Sequence, residues 1–86
     1  MQSSETYDRL RDFVANELLN GDGQELDEST PLLAWGIIDS MSLIRLTAFI
    51  EDELKVAIPA DELADSENLQ NLAAITRMVM KYAPAT

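Results

Sequence analysis

The sequence predicts an all-α fold, a four-helix bundle of three longer helices and one short one, and three observations lead to it. Apolar residues recur at spacings of three and four along most of the chain, the period of a helix with one buried stripe. The alternation of apolar and polar residues expected of half-buried strands is absent. The breaks, at Asn20-Gly21-Asp22-Gly23, Pro31, Pro59 and Pro84, fall between the periodic segments. The 86 residues are expected to form one domain, 1–86, with one modest core.

The first helix is expected over about 4–19. Ser3 or Ser4 can cap it, Glu5 and Asp8 suit its positive end, and Tyr7, Leu10, Val14 and Leu18 form its stripe, widened by Phe13. Asn20-Gly21-Asp22-Gly23 then supplies two residues that tolerate positive φ and ends the helix near Leu19. A long connection to Asp39 follows, with Leu26, Leu32, Leu33, Trp35, Ile37 and Ile38 as anchors that can pack over a core. Ser29-Thr30-Pro31 suits a short helical turn. The second helix is expected over about 40–55, stopped by Val56-Ala57-Ile58-Pro59, and a short third over 60–65. Asn68 can cap a fourth, over 68–82, with a stripe of Leu69, Leu72, Ile75, Met78 and Val79 and the cations Arg77 and Lys81 near its negative end.

Composition narrows the chemistry. With no cysteine and no histidine the chain has no thiolate, no disulfide and no imidazole base, and most enzyme mechanisms lose their usual residues. Asn20, Asp22 and Gln24 alternate as calcium ligands do, but Glu25 stands where an EF-hand needs glycine and Pro31 where it needs glutamate. No metal site is expected. A net charge of −10 disfavours nucleic acid and membrane surfaces and favours a partner with a basic patch. Without a leader pattern or a long apolar run, the expectation is a soluble, cytoplasmic monomer.

The second helix carries more apolar residues than one buried stripe needs. Leu43, Leu46, Ile50 and Leu54 lie on one side with Thr47 beside them, and Met41, Ile44 and Ala48 lie opposite, flanked by Arg45 and Asp52; Phe49 falls between. Either the short helix or the connection covers the second stripe, or it docks a partner, with Glu51-Asp52-Glu53 as a charged rim.

Ser40 stands where the irregular run Trp35-Gly36-Ile37-Ile38-Asp39 becomes helical. As a nucleophile it lacks a base and the second glycine of a nucleophile elbow. As a helix cap it needs no further role. A third reading is a hydroxyl held at the surface for attachment, near the positive end of a helix that suits a phosphate.

The segment from Trp35 to Leu46, with Gly36, two apolar residues, Asp39-Ser40 and then Met41, resembles the attachment site of acyl and peptidyl carrier proteins. The likeness extends to Thr30-Pro31-Leu32, to Val56-Ala57-Ile58-Pro59 and to the final helix. It implies that Ser40 accepts a covalent 4′-phosphopantetheine from coenzyme A through a phosphopantetheinyl transferase, with Asp39 as the adjacent acid. It further implies that Met41, Ile44, Arg45 and Ala48, with Asp52 beside them, face partner enzymes. Arg45 stands where fatty-acid carriers typically have an acid, so the resemblance is closer to free-standing peptidyl carriers, including those that hold a proline or pyrrole-type acyl group or D-alanine. The expected function is a non-catalytic carrier of an aminoacyl or acyl thioester in a nonribosomal-peptide type of pathway. Its expected partners are an adenylating ligase and downstream tailoring enzymes. The alternatives are an acyl carrier of a fatty-acid or polyketide-type pathway and an acidic helical adaptor with no prosthetic group.

Overall fold

The computed structural model of the chain describes residues 3–24 and 26–83. Among these residues there are helices and no strand, as expected. The first helix, α1, spans Ser3–Phe13 and continues as a wider π-helical turn, Val14–Leu18. Ser3 and Ser4 lie inside α1, so neither caps it from outside, and the residues before them are outside the described ones.

The widening has a local cause. Asn20 and Gly21 both take positive φ, 55° and 85°, so the chain turns back through the left-handed region. The Leu19 N–H then reaches the Val14 carbonyl at 3.1 Å and the Gly21 N–H the Ala15 carbonyl at 2.7 Å, and the wide turn absorbs an extra residue. Gly23 returns so close to the helix that a Cβ there would lie 2.8 Å from that of Ala15. Arg11 fastens this return by donating to the Gly23 carbonyl at 2.8 Å and the Leu26 carbonyl at 3.2 Å.

The connection is an ordered strap across the bundle. Asp27 and Thr30 close one turn reciprocally: the Thr30 hydroxyl accepts from the Asp27 N–H at 2.9 Å and donates to its carboxylate at 3.2 Å. A single helical turn from Pro31 follows, closed by the Trp35 N–H on the Pro31 carbonyl at 3.0 Å. Backbone bonds then pin the strap to the last helix and the residues just before it, from Leu32 N–H to the Gln70 carbonyl at 2.8 Å and from Ala73 N–H to the Glu28 carbonyl at 3.1 Å. Leu26, Leu32 and Ile38 enter the core, and Leu33 and Ile37 are half-buried. Trp35 does not join them; it is 62% exposed, and the expectation that it anchors the strap is corrected.

The second helix, α2, spans Ser40–Glu53 and ends earlier than expected. Lys55, at φ 59°, takes the left-handed conformation and stops it before Pro59 is reached. In the next residues burial alternates, with Val56 and Ile58 buried and Ala57 exposed, a two-residue period. α1 and α2 run antiparallel and pair at intervals of four residues. Arg9 donates to the Glu53 carbonyl at 3.4 Å, the Phe13 and Phe49 rings lie 4.6 Å apart, and Arg45 donates to the Glu17 carbonyl at 3.2 Å. Each arginine thereby supplies donors to the unpaired carbonyls at the other helix's end.

α3, Ala60–Ala64, is short and buries none of its residues fully. The expected fourth helix is divided. A 3₁₀ turn, Ser66–Leu69, begins at Asp65, whose carboxylate accepts from the Glu67 N–H at 3.0 Å. α4, Leu72–Tyr82, begins at Asn71, which accepts from the Ala74 N–H at 2.8 Å. Asn68 is therefore not the cap of α4; it sits in the 3₁₀ turn and donates to the Glu62 carbonyl at 2.9 Å. Two side chains that each start a helix divide the segment. Leu10, Leu46, Ile50, Leu72, Ile75 and Val79 meet at the centre of one core, all fully buried.

Candidate functional site

Ile38 is the last residue of the strap to be buried, and the chain then emerges through Asp39 into α2. Asp39 is extended, at φ −116° and ψ −170°, and its carboxylate accepts from the Ser42 N–H at 2.8 Å. Asp39, not Ser40, is the cap; Ser40 occupies the first helical position. The Ser42 N–H, and then the Ser42 hydroxyl, hold the Asp39 carboxyl below the usual carboxylate range. The Ser40 side chain is exposed and has no hydrogen-bond partner among the described residues. Capping is done by its neighbour, and its own hydroxyl is left without structural work.

The outer stripe of α2 is uncovered. Met41 is 68% and Ile44 63% exposed, and Ala48 and Asp52 are also at the surface, so neither α3 nor the strap lies over them. Arg45 is exposed too, but its guanidinium is turned back onto Glu17, 3.7 Å from the carboxylate as well as bonded to the carbonyl. Trp35 adds a third large exposed apolar side chain just upstream of Ser40. Sequence reasoning counted it among the anchors, and nothing in the run Leu32-Leu33-Ala34-Trp35 distinguishes the buried residue from the exposed one.

The chain matches, over residues 8–75, the family described as a phosphopantetheine attachment site. The protein belongs to this carrier family. It is 31% identical over 76 residues to the probable acyl carrier protein PigG of Serratia sp. (strain ATCC 39006), a match that covers 86% of this chain and 87% of that one. It is also similar to a chain in a solved structure described as "Crystal structure of FAD-dependent dehydrogenase", with a TM-score of 0.74 and 38% identity over 80% of this chain and 96% of that chain. The coverages make that matched chain no longer than this carrier.

Carriers of this family hold a 4′-phosphopantetheine covalently on a serine. Such a group needs a hydroxyl that a transferase can reach and that the fold does not already use. The exposed, unbonded side chain of Ser40 fits that requirement, and a phosphodiester attached there would lie at the positive end of α2.

Proposed function

We propose that Ser40 is the serine that receives the 4′-phosphopantetheine, and that the protein is a cytoplasmic carrier of an aminoacyl or derived acyl group for natural-product biosynthesis of the nonribosomal-peptide type. The observation that supports this most directly is the division of labour between Asp39, which caps α2, and Ser40, whose exposed hydroxyl bonds to nothing among the described residues. In the transfer, the Ser40 Oγ forms a bond to phosphorus while the pyrophosphate bond of coenzyme A breaks. Adenosine 3′,5′-bisphosphate leaves, and the hydroxyl proton passes to a base of the transferase. The thiol at the end of the arm supplies the site on which cargo is held as a thioester. This chain's own residues provide attachment and recognition, and its partners provide the catalysis. Asp39 stands beside the hydroxyl for the transferase, and Met41, Ile44 and Ala48, with Arg45 and Asp52 at their edges, form the face that partner enzymes read.

An adenylating ligase is the expected loading enzyme. The likeness to a chain from the FAD-dependent dehydrogenase structure supports a flavin-dependent dehydrogenase among the clients. Such an enzyme would remove two hydrogens from the carried group and leave reduced flavin. A second reading, an acyl carrier of a fatty-acid or polyketide-type pathway, draws on the likeness to the probable acyl carrier protein of Serratia.

Incubation with coenzyme A, magnesium and a promiscuous phosphopantetheinyl transferase tests the attachment by intact mass. The expected result is a gain of one phosphopantetheine that Ser40→Ala abolishes. No gain by a folded wild-type chain overturns the carrier reading, and a gain that survives Ser40→Ala overturns the assigned site. Aminoacyl loading by adenylating ligases, set against acyl loading, separates the two pathways.

A further inference from the structure

The single positive charge of α2 is Arg45. It stands at the edge of the exposed stripe, because the side-chain rows of a helix make Met41, four residues back, and Ala48, three residues on, its neighbours. A long cationic side chain at this place has two courses. It can lay its stem over Met41 and Ala48 and present its charge to an approaching protein, or it can turn away from the stripe. Arg45 takes the second course.

The cause lies on the other helix. Glu17 is in the wide turn, Val14–Leu18, that follows α1. The next N–H groups along the chain go elsewhere, that of Gly21 to the Ala15 carbonyl and that of Asp22 to the Leu19 carbonyl at 3.0 Å, so neither reaches the Glu17 carbonyl. Arg45 donates to that carbonyl at 3.2 Å with one nitrogen, and a second nitrogen lies 3.7 Å from the Glu17 carboxylate. Two acceptors of one residue thus hold one guanidinium. At the other end of the same helix pair Arg9 donates to the Glu53 carbonyl at 3.4 Å but has no carboxylate within ion-pair distance among the described residues. Arg9 is tied, whereas Arg45 is tied and neutralised.

We propose that Glu17, a residue outside α2, helps to determine which partners the α2 face accepts. By holding and neutralising Arg45 it leaves that face an apolar stripe with the acidic rim Glu51-Asp52-Glu53, suited to a basic partner surface. An uncompensated cation at the same edge would repel such a surface and cover part of the stripe. Glu17 is therefore a positioning residue, acting through Arg45 and not by touching the partner. This rests on the outer face of α2 being the docking surface.

The test follows pantetheinylation of the full chain by a promiscuous phosphopantetheinyl transferase with coenzyme A and magnesium, in wild type, Glu17→Ala, Arg45→Ala, the double variant and Ile44→Glu. Glu17 and Arg45 are exposed, and preserved amide spectra will confirm that the variants fold. Glu17→Ala should raise KM for the carrier about two- to fivefold, the range an exposed ion pair supports, with kcat unchanged because Ser40 and the Asp39 cap are untouched. In the Arg45→Ala background the same change should leave KM where it is, since Glu17 then has no cation to hold. An equal rise in both backgrounds would mean that Glu17 meets the transferase directly, and no rise in the native background would mean that the pair does not shape the face. Either result overturns the proposal. Ile44→Glu tells its failure from that of the docking reading: a raised KM for Ile44→Glu with none for Glu17→Ala removes Glu17 and keeps the face, whereas an unaffected Ile44→Glu overturns the face itself.

Discussion

The two faces of α2 are built from the same kinds of residue and meet opposite fates. Leu46 and Ile50 are fully buried in the core that residues of α1 and α4 also enter, while Met41 and Ile44, on the other side of the helix, are more than half exposed. Hydrophobicity therefore does not by itself place a side chain inside. The inner face is held by neighbours within the chain, whereas the outer face has none among the described residues, which is why it is the face proposed for docking. Ser40 lies at the start of the same helix, so a partner that seats on Met41 and Ile44 has the hydroxyl beside it.

The largest effect should come from breaking the inner face. Ile50→Ala removes a fully buried side chain and should cost about 2–5 kcal/mol, enough to lower Tm by tens of degrees or abolish folding. Ile44→Glu should change stability by no more than about 0.5 kcal/mol, because the side chain it replaces is already in water. The same Ile44→Glu protein should lose about five- to thirtyfold in kcat/KM for pantetheinylation or for loading, the scale of one interface residue worth about 1–2 kcal/mol. Thermal melts alongside kinetics check this, and a large loss of stability in Ile44→Glu would show that the outer face is packed after all.

How far the sequence revealed this depends on the element. The inner stripes of α1, α2 and α4 were legible because a 3.6-residue period sorts side chains by face, and a buried Leu46 or Ile75 leaves that trace. The uncovered Met41 and Ile44 were legible as a surplus on the wrong side of the same period. Capping was not resolved, since Asp39 and Ser40, or Asn68 and Asn71, are equally good caps by residue type, and only φ and ψ decide which one stands outside the helix. The strap has no period, so the burial of Leu32 and the exposure of Trp35 follow from its backbone bonds to the Gln70 and Ala73 segment, which join residues distant in sequence. The stop at Lys55 was hidden for a related reason. Lysine gives no hint of a left-handed conformation, and the tertiary fold imposes it.

That residue offers the converse of the Ile44 experiment, a change in fold stability that leaves the outer face alone. Lys55→Gly removes the steric cost of the left-handed conformation at φ 59°, offset in part by the greater freedom of glycine in the unfolded chain. The expected gain is about 0.5–1 kcal/mol, seen as a rise of a few degrees in Tm. Loading kinetics should be unchanged, because Lys55 follows the end of α2 opposite to Ser40. A fall in loading with the rise in Tm would mean that the docking face extends to the end of the helix.

Asp39 is where the fold of α2 and its proposed function meet, since it caps the helix and precedes Ser40, the residue proposed to carry the arm. Asp39→Asn should separate them: the asparagine oxygen can still accept from the Ser42 N–H, so Tm near pH 7 should move little, while the transferase loses an adjacent negative charge. The pH dependence gives an independent check. Because hydrogen bonds from Ser42 hold the folded Asp39 carboxyl below its ordinary value of 3.8, its contribution to stability is present above that value and lost as pH falls through the lower folded one. The difference in Tm between wild type and Asp39→Asn should be constant above about pH 5 and should shift against the wild type only below about pH 4. Subtracting the variant removes the other carboxylates from the comparison. A difference that stays flat through the acid range would show that the ionised carboxylate does not hold this helix end. A normal transferase rate for Asp39→Asn would show that the cap is its whole role.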